Sequence, residues 1–222
     1  MTENTVIVTG GASGIGRHTC FRFAEEDYNV VVADVRKDPR EGGPRTHEKL
    51  KTEGYEARFW ETDVRDWSAV QDMVAKTREW YGAVDVMVNN AGFAERAPIE
   101  DLSIEDARKI FRINVEGVYH GMKAVIPEMK TQGSGSIVNV ASGVGKTAVP
   151  NLAAYSGAKA AVIRMTEAVA GETDAAGVTV NAVCPGRTRT AMTDFEGVPP
   201  ETVADTIYEA ATADYTGEAI DT

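Results

Sequence analysis

A tyrosine and a lysine four residues apart are the side chains whose types and spacing most directly suggest proton chemistry. Tyr155 and Lys159 would lie on one face of a helix, because residues at i and i+4 are neighbours there. A free phenol has a pKa of about 10, and a nearby ammonium lowers that pKa by favouring the phenolate. The pair therefore predicts a general acid/base in which Tyr155 moves the proton.

Two further polar side chains could serve the same chemistry. Ser142 lies 13 residues before Tyr155, and its hydroxyl could hydrogen-bond a substrate oxygen and stabilise charge there. Asn114 falls inside a long predicted helix, where a buried amide needs partners. Each feature alone has an ordinary explanation, such as an exposed Tyr/Lys pair or a capping serine. Together with the glycine-rich turn described next, they favour catalysis.

The first predicted strand runs into Thr9-Gly-Gly-Ala-Ser-Gly-Ile-Gly16, and a helix follows. Glycines permit a tight turn, and free N–H groups at a helix N-terminus attract anions such as a pyrophosphate. The strand–turn–helix context favours dinucleotide binding over an ordinary glycine turn. The expected cofactor contacts in this turn are Gly10, Ser13, Gly14, Ile15 and Gly16.

Asp34 ends the second predicted strand, 18 residues after Gly16. A carboxylate there can accept hydrogen bonds from both adenosine ribose hydroxyls, and it repels a 2′-phosphate. Asp34 therefore favours NAD over NADP, although Arg17 and Arg36 are near enough in sequence to compensate a phosphate.

Short β-branched runs alternate with longer amphipathic segments, which predicts an α/β fold with a mostly parallel sheet covered by helices on both faces. No linker interrupts the pattern, so we expect one domain over residues 1–222. The charged Gly/Pro-rich segment 36–45 is expected to be exposed and mobile. The predicted strands are 5–9, 29–34, 56–61, 85–89, 135–141, 178–184 and 219–220. The predicted helices are 14–27, 44–53, 67–81, 103–130, 153–176 and 201–212.

Composition argues against several classes of protein. The net charge of −11 argues against nucleic-acid binding, which needs a basic patch. The two cysteines and three histidines lack metal-ligand spacing, so no metal is expected. No apolar run reaches membrane-spanning length, and residues 1–4 lack the start of a signal peptide. We therefore expect a cytoplasmic protein without membrane contact.

In its motifs the chain resembles the short-chain dehydrogenase/reductase family. The glycine turn has that family's Thr-Gly-x-x-x-Gly-x-Gly spacing, and further matches follow in the family's order over nearly the whole chain. These matches are Asn89-Asn90-Ala91-Gly92, Asn114-Val-x-Gly117, Ser142, Tyr155-x-x-x-Lys159 and Pro185-Gly186. The resemblance implies a Rossmann-type doubly wound sheet, a nicotinamide cofactor, a small alcohol or carbonyl substrate, and a homotetramer or homodimer.

The resemblance also implies roles for individual residues. Lys159 would hold the nicotinamide ribose with Tyr155, and Asn114 would anchor a water relay to Lys159. The remaining cofactor contacts implied by position are Asp63, Val64, Asn90, Ala91, Gly92, Pro185, Gly186, Thr188 and Thr190. For Asn90, a purely structural role at the strand end is an equal alternative.

The sequence departs from the family after Thr190. Only residues 191–200 stand where relatives insert a helical flap, and the chain ends at Thr222. We therefore expect an open or partner-completed pocket and a weak or absent C-terminal dimer contact. A catalytically silent NAD(H)-binding regulatory or scaffold protein stays an alternative, as does an epimerase or dehydratase with bound NAD. The expected pocket residues do not identify a substrate: Phe93, Arg96, Val144, Val149, Asn151, Leu152, Arg187, Met192 and Phe195.

One motif is a decoy. Gly143-Val-Gly-Lys-Thr147 resembles the end of a phosphate-binding P-loop, but Val140 stands where that motif needs a glycine. We therefore expect no ATP site in this segment.

Overall fold

Seven parallel strands form one sheet in the order β3-β2-β1-β4-β5-β6-β7 in the computed structural model, which describes residues 4–222. The strands are β1 Thr5–Thr9, β2 Asn29–Asp34, β3 Ala57–Glu61, β4 Val86–Asn89, β5 Gly135–Val140, β6 Val178–Cys184 and β7 Ala219–Asp221. Every strand pair is parallel, as the continuous apolar runs predict.

Seven α-helices surround the sheet within the described part of the chain. They are α1 Gly14–Ala24, α2 Thr46–Thr52, α3 Trp67–Tyr81, α4 Ile104–Phe111, α5 Gly117–Gln132, α6 Ala153–Thr173 and α7 Pro200–Thr212. Two separate clusters of buried apolar side chains lie between helices and sheet. One includes Ile7, Met87 and Ile137, and the other includes Val8, Val32 and Phe23. Alternate residues of β1 thus face opposite layers, so both faces of the sheet are covered.

The order of the strands reverses beside β1, because β2 pairs with one edge of β1 and β4 with the other. In open α/β sheets, ligands bind in the crevice at the carboxyl ends of the strands beside such a switch point. The segments that follow β1, β4, β5 and β6 therefore meet at one edge of the sheet. The glycine turn follows β1 directly and Ser142 follows β5, whereas Tyr155 and Lys159 lie in α6 and Asn114 lies in a helical segment after β4.

The largest correction concerns the helix predicted over 103–130. The structure divides it into α4 and α5, joined by a π-helical turn at Arg112–Glu116. Its N-terminus is as expected, because the Ser103 side chain caps it by accepting a hydrogen bond from the Asp106 N–H. A π turn inserts an extra residue into an α-helix and often marks a functional position, and Asn114 lies inside it.

The other corrections are at element ends. Helix α1 ends at Ala24 rather than 27, and Asp27 has a φ of 60°. Helix α6 ends at Thr173 and is followed by a 3-10 turn, Asp174–Ala176, before the left-handed Gly177. Helix α2 is shorter than the predicted 44–53: it begins at Thr46, after Arg45, and ends at Thr52. Strands β3, β4 and β5 are each one residue shorter than predicted, and α7 begins at Pro200.

Two expectations from composition can be compared with the structure in part. Among residues 4–222, no helix combines the length and the apolar character needed to cross a bilayer. In the same range, no group of three or more His, Cys, Asp or Glu side chains is arranged around a common point to hold a metal ion. The expectation about a signal peptide rests mostly on residues 1–3, which lie outside the described residues.

Candidate active site

The glycine turn is closely packed, and its backbone conformation favours glycine at two positions. Gly10 and Gly14 have φ of 67° and 53°, a backbone region that favours glycine. A Cβ on Gly16 would collide with the carbonyl oxygen of Gly10 and with the Asn90 side chain. Ser13 and Ile15 lie half-buried between these glycines. The turn thus brings backbone N–H groups to the N-terminus of α1, as the spacing predicts.

Asp34 lies next to this turn with its carboxylate held by backbone. One oxygen accepts a hydrogen bond from the Ala12 N–H at 3.2 Å, and the other from the Arg36 N–H at 3.2 Å. Burial nevertheless raises the pKa of the Asp34 carboxyl. Arg17, considered above as a phosphate partner, is only 8% exposed and donates to the Thr46 hydroxyl. Of the two arginines, only Arg36 is exposed to solvent.

Asn90 connects the ends of β1 and β4. Its side-chain amide donates to the Thr9 carbonyl at 2.8 Å and to the Gly10 carbonyl at 3.3 Å. The N–H groups of Asn90 and Ala91 both donate to the Thr9 hydroxyl. Of the two roles considered for Asn90, these contacts favour the structural one, because the amide donor is already used to hold the glycine turn.

Asn114 and Lys159 converge on Gly92. Asn114 is fully buried, and its amide donates to the carbonyls of Phe93 at 2.7 Å and Ile110 at 2.8 Å. A Cβ added to Gly92 would lie 3.1 Å from Asn114 Oδ1 and 3.9 Å from Lys159 Nζ. A side chain at residue 92 would therefore fill the space between the two polar groups. The π turn is what directs Asn114 to this point.

Ser142, Tyr155 and Lys159 form the centre of the cluster. Ser142 follows β5 and donates its hydroxyl to the Pro185 carbonyl at 3.3 Å, while accepting weakly from the Val144 N–H at 3.4 Å. Tyr155 and Lys159 lie on the first turns of α6, and Lys159 Nζ is 5.6 Å from the Tyr155 ring centroid. The ammonium donates to the Val140 carbonyl at the end of β5, at 2.7 Å.

Burial shifts the pKa values of this pair in opposite directions. It raises the pKa of Tyr155 to about 12, against a smaller opposing effect of the Ser142 hydroxyl. It lowers the pKa of Lys159 to about 8. The expectation that Lys159 lowers the Tyr155 pKa is thus wrong for the free chain, because desolvation penalises both charged forms. In the free protein both groups are displaced toward neutrality.

The segment after β6 closes into a compact loop. Thr188 is 3% exposed and donates its hydroxyl to the Gly186 carbonyl. The Thr190 side chain would lie 3.1 Å from a Cβ added to Gly14. Thr190 also caps a 3-10 turn at Ala191–Thr193. The Thr193 hydroxyl contacts the carbonyls of Thr188, Thr190 and Glu196, which ties the loop to itself. The short flap is therefore a folded structure that touches the glycine turn.

Asp63 and Val64 follow β3, away from the Tyr155 cluster. The Asp63 carboxylate forms a two-pronged ion pair with Arg65, with a shortest distance of 2.6 Å, and this interaction lowers the pKa of Asp63. Val64 is 8% exposed, and its carbonyl lies 2.9 Å from His120 Nδ1. Asp63 is thus held by a neighbour in sequence, whereas Val64 is held against α5.

Sequence reasoning missed the contacts of the 36–45 segment. It is exposed at most positions, as expected, but Pro39 is buried and the Arg40 N–H donates to the Ser13 hydroxyl at 2.8 Å. Glu41 accepts a hydrogen bond from the Gly14 N–H at 3.0 Å. No local motif signals a contact between residues 27 positions apart. In the segment that resembles a P-loop, Lys146 Nζ donates to the Ala219 carbonyl and to the Asp221 carboxylate.

Comparison with known proteins identifies the class. The family model of the short chain dehydrogenases matches residues 4–197, so the chain belongs to that family. An uncharacterized oxidoreductase of Thermotoga maritima is 39% identical over 184 residues, covering 83% of this chain and 71% of that protein. The 2-(R)-hydroxypropyl-CoM dehydrogenase of Xanthobacter autotrophicus is 36% identical over 202 residues, covering 90% of this chain and 80% of that protein.

A solved structure agrees with this assignment. Levodione reductase superposes with a TM-score of 0.91 at 26% identity, covering 100% of this chain and 96% of that one. The seven-stranded parallel sheet is thus the Rossmann-type sheet of this family. Relatives named as dehydrogenases and oxidoreductases support an enzyme of the same general class here.

Proposed function

We propose that the protein transfers a hydride between NAD(H) and a small alcohol or carbonyl substrate, with Tyr155 as general acid/base. The observation that carries this proposal is the meeting of Ser142, Tyr155 and Lys159 at the same sheet edge as the glycine turn. A proton carrier and an anion-binding turn beside one crevice are what such a reaction needs.

The cofactor would be held by the residues around the switch point. The space beside Gly92, which a Cβ would fill, suits a ligand that approaches the backbone closely, and the absence of a side chain at Gly16 lets the Gly10 carbonyl and Asn90 pack against the start of α1. Asp34 would accept the ribose hydroxyls and disfavour a 2′-phosphate, which supports NAD over NADP. The other residues that we propose as cofactor contacts are Gly10, Ser13, Gly14, Ile15, Asp63, Val64, Asn90, Ala91, Tyr155, Lys159, Pro185, Gly186, Thr188 and Thr190, with a structural role as the alternative for Asn90.

Bound NAD would supply the hydride acceptor, and the protein would manage the proton. In the reducing direction the neutral Tyr155 phenol donates its proton to the substrate oxygen, and Ser142 stabilises charge developing on that oxygen. In the oxidising direction the substrate hydroxyl gives its proton to the phenolate. Because burial raises the Tyr155 pKa to about 12, oxidation should speed up as the pH rises. Lys159, with a pKa of about 8, would be the next proton holder, reached through water at Asn114.

The test is a fluorescence titration with NADH and NADPH, followed by a screen of alcohols with NAD at alkaline pH. We expect NADH to bind more tightly than NADPH, and at least one alcohol class to be oxidised. Tyr155→Phe should lower kcat by about 1,000-fold while leaving the NADH Kd nearly unchanged. Turnover by the phenylalanine variant at the normal rate would show that another group moves the proton.

The nucleotide preference has its own test. Asp34→Ala removes the carboxylate that repels a 2′-phosphate, so the ratio of NADPH to NADH dissociation constants should fall by about tenfold. A wild type that already prefers NADPH would overturn the assignment of NAD. Binding of NADH without any turnover would favour the regulatory or scaffold alternative, and NAD retained through purification would favour the epimerase alternative.

Homo-oligomer formation is supported by apolar side chains on α4 and α5. Ile104 is 68% exposed, Phe111 43% and Tyr119 50%, and exposed apolar side chains of this kind could be covered by a second subunit. Light scattering would give the subunit number, and Phe111→Asp should shift the protein toward monomer.

We also propose a single domain, since one sheet takes strands from both ends of the described chain. The two buried free thiols, Cys20 and Cys184, are consistent with the proposed cytoplasmic location.

A further inference from the structure

The carboxylate of Glu41, a side chain of the protein itself, is hydrogen-bonded at the N-terminus of α1. Glu41 Oε1 accepts a hydrogen bond from the Gly14 N–H at 3.0 Å, and Gly14 is the first residue of α1. The side chain of Ser13, the residue before the helix, makes no capping hydrogen bond in the described structure. A carboxylate at this position is stabilised by the free N–H groups and by the helix dipole.

The segment that carries Glu41 is fixed to the glycine turn on both sides of it. The Arg40 N–H donates to the Ser13 hydroxyl at 2.8 Å, and the Thr46 hydroxyl donates to the Ala12 carbonyl at 3.2 Å. Pro39 is buried, and the Gly42 N–H closes a turn on its carbonyl at 3.1 Å. A loop with its own hydrogen bonds thus positions Glu41 next to Gly14, while the Glu41 side chain stays exposed to solvent.

From this geometry we propose that Glu41 is an internal competitor for the cofactor pyrophosphate and so sets the affinity for the nucleotide. This inference rests on the proposed function, which places a pyrophosphate at the same helix N-terminus. A carboxylate and a phosphate cannot both accept from the Gly14 N–H, and two anions side by side repel. Binding of a phosphate-bearing ligand must therefore move the Glu41 side chain, whereas binding of the adenosine portion need not.

Exposure makes this displacement feasible. Glu41 has no cationic partner among the salt bridges of the described residues, whose neighbouring pairs involve Arg45 with Asp38 and Glu48. An exposed carboxylate bound by one backbone N–H can return to water at small cost. Glu41 thus weakens nucleotide binding without blocking it, and it does so for any ligand that carries the pyrophosphate.

The test compares Glu41→Ala and Glu41→Gln with a control, Glu25→Gln, which removes the same charge near the other end of α1. Calorimetric titrations would use NADH, ADP and adenosine. We expect Glu41→Ala to bind NADH and ADP about 2-fold to 5-fold more tightly than wild type. Glu41→Gln should fall between, because it keeps an acceptor but loses the charge. Adenosine affinity and the Glu25→Gln variant should be unchanged.

Equal or weaker NADH binding by Glu41→Ala, or an equal gain for adenosine, would overturn the inference. Failure of the proposed function would look different, since wild type and all variants would then fail to bind NADH. In that case inorganic pyrophosphate would be titrated instead. Tighter pyrophosphate binding by Glu41→Ala than by wild type would keep the competitor role, and no difference would end it. Thermal unfolding of each variant would check that the exposed substitutions leave the fold intact.

Discussion

The two ends of the proposed cofactor crevice handle charge in opposite ways. At the glycine turn, the Gly14 N–H donates a hydrogen bond to the exposed carboxylate of Glu41. At the other end, Lys159 is buried and Tyr155 is half-buried, and burial moves the pKa of Tyr155 to about 12 and that of Lys159 to about 8. The contrast is between a carboxylate bound by a backbone N–H at the N-terminus of a helix and side chains whose pKa values are shifted by burial.

The two ends should therefore be sensitive to different kinds of change. The glycine turn depends on close contacts with backbone and side-chain atoms, so its stability should be sensitive to added methyl groups. The catalytic end depends on holding an ammonium where water cannot reach it, so its weakness is electrostatic and depends on pH. Three variants would separate these two kinds of sensitivity.

The largest effect should come from Lys159. Its pKa of about 8 in the folded protein lies below that in the unfolded chain, so the unfolded chain binds more protons between these values and stability rises with pH. Lys159→Met lacks this penalty. The difference in unfolding free energy, wild type minus variant, should therefore increase by about 2 kcal/mol between about pH 7.5 and 9.5.

Urea unfolding at several pH values would measure this difference. Lys51→Met, on the exposed side of α2, is the matched control and should leave the pH response of wild type unchanged. If the unfolding free energies of wild type and Lys159→Met change in parallel with pH across this range, the Lys159 ammonium is not desolvated. The structure indicates that it is, so this result would contradict the electrostatic difference between the two ends.

The next effect should come from Gly16. Gly16→Ala places a methyl group against the Gly10 carbonyl and the Asn90 amide, and such overpacking costs about 1–3 kcal/mol of unfolding free energy. The NADH Kd should rise by at least about tenfold as the turn opens. Gly171→Ala on α6 meets no atom within 4 Å and should stabilise by about 0.5–1 kcal/mol. Equal responses of the two variants would contradict the steric argument.

The smallest effect should come from Asn90. Asn90→Ala removes two hydrogen bonds to the glycine turn and should cost about 1 kcal/mol of stability. NADH affinity should fall by no more than about threefold if the side chain is structural. Asn90→Asp keeps an acceptor for a ribose hydroxyl but loses the donor, so it should be as unstable as the alanine variant. An aspartate variant that restores NADH affinity over the alanine variant would assign a ribose contact instead.

The sequence determined the order of elements and the identity of the central residues. Alternation of β-branched runs with amphipathic segments predicted the parallel sheet, because period and length are local properties of the chain. The spacing of Tyr155 and Lys159 predicted their shared helix face, and the glycines predicted the tight turn, since both depend on backbone geometry within a few residues. The π turn around Asn114 was not predictable, because an extra residue in a helix leaves no pattern in composition.

Only the tertiary structure decided the electrostatics. The shifts of Tyr155 and Lys159 depend on how completely α6 is packed against the sheet, and burial reversed the direction predicted for Tyr155. The contact of Glu41 with Gly14 joins residues far apart in sequence, and only the loop that connects β2 to α2 brings them together. Local spacing determines which side chains share a face, while desolvation and long-range contacts depend on atoms contributed by the whole fold.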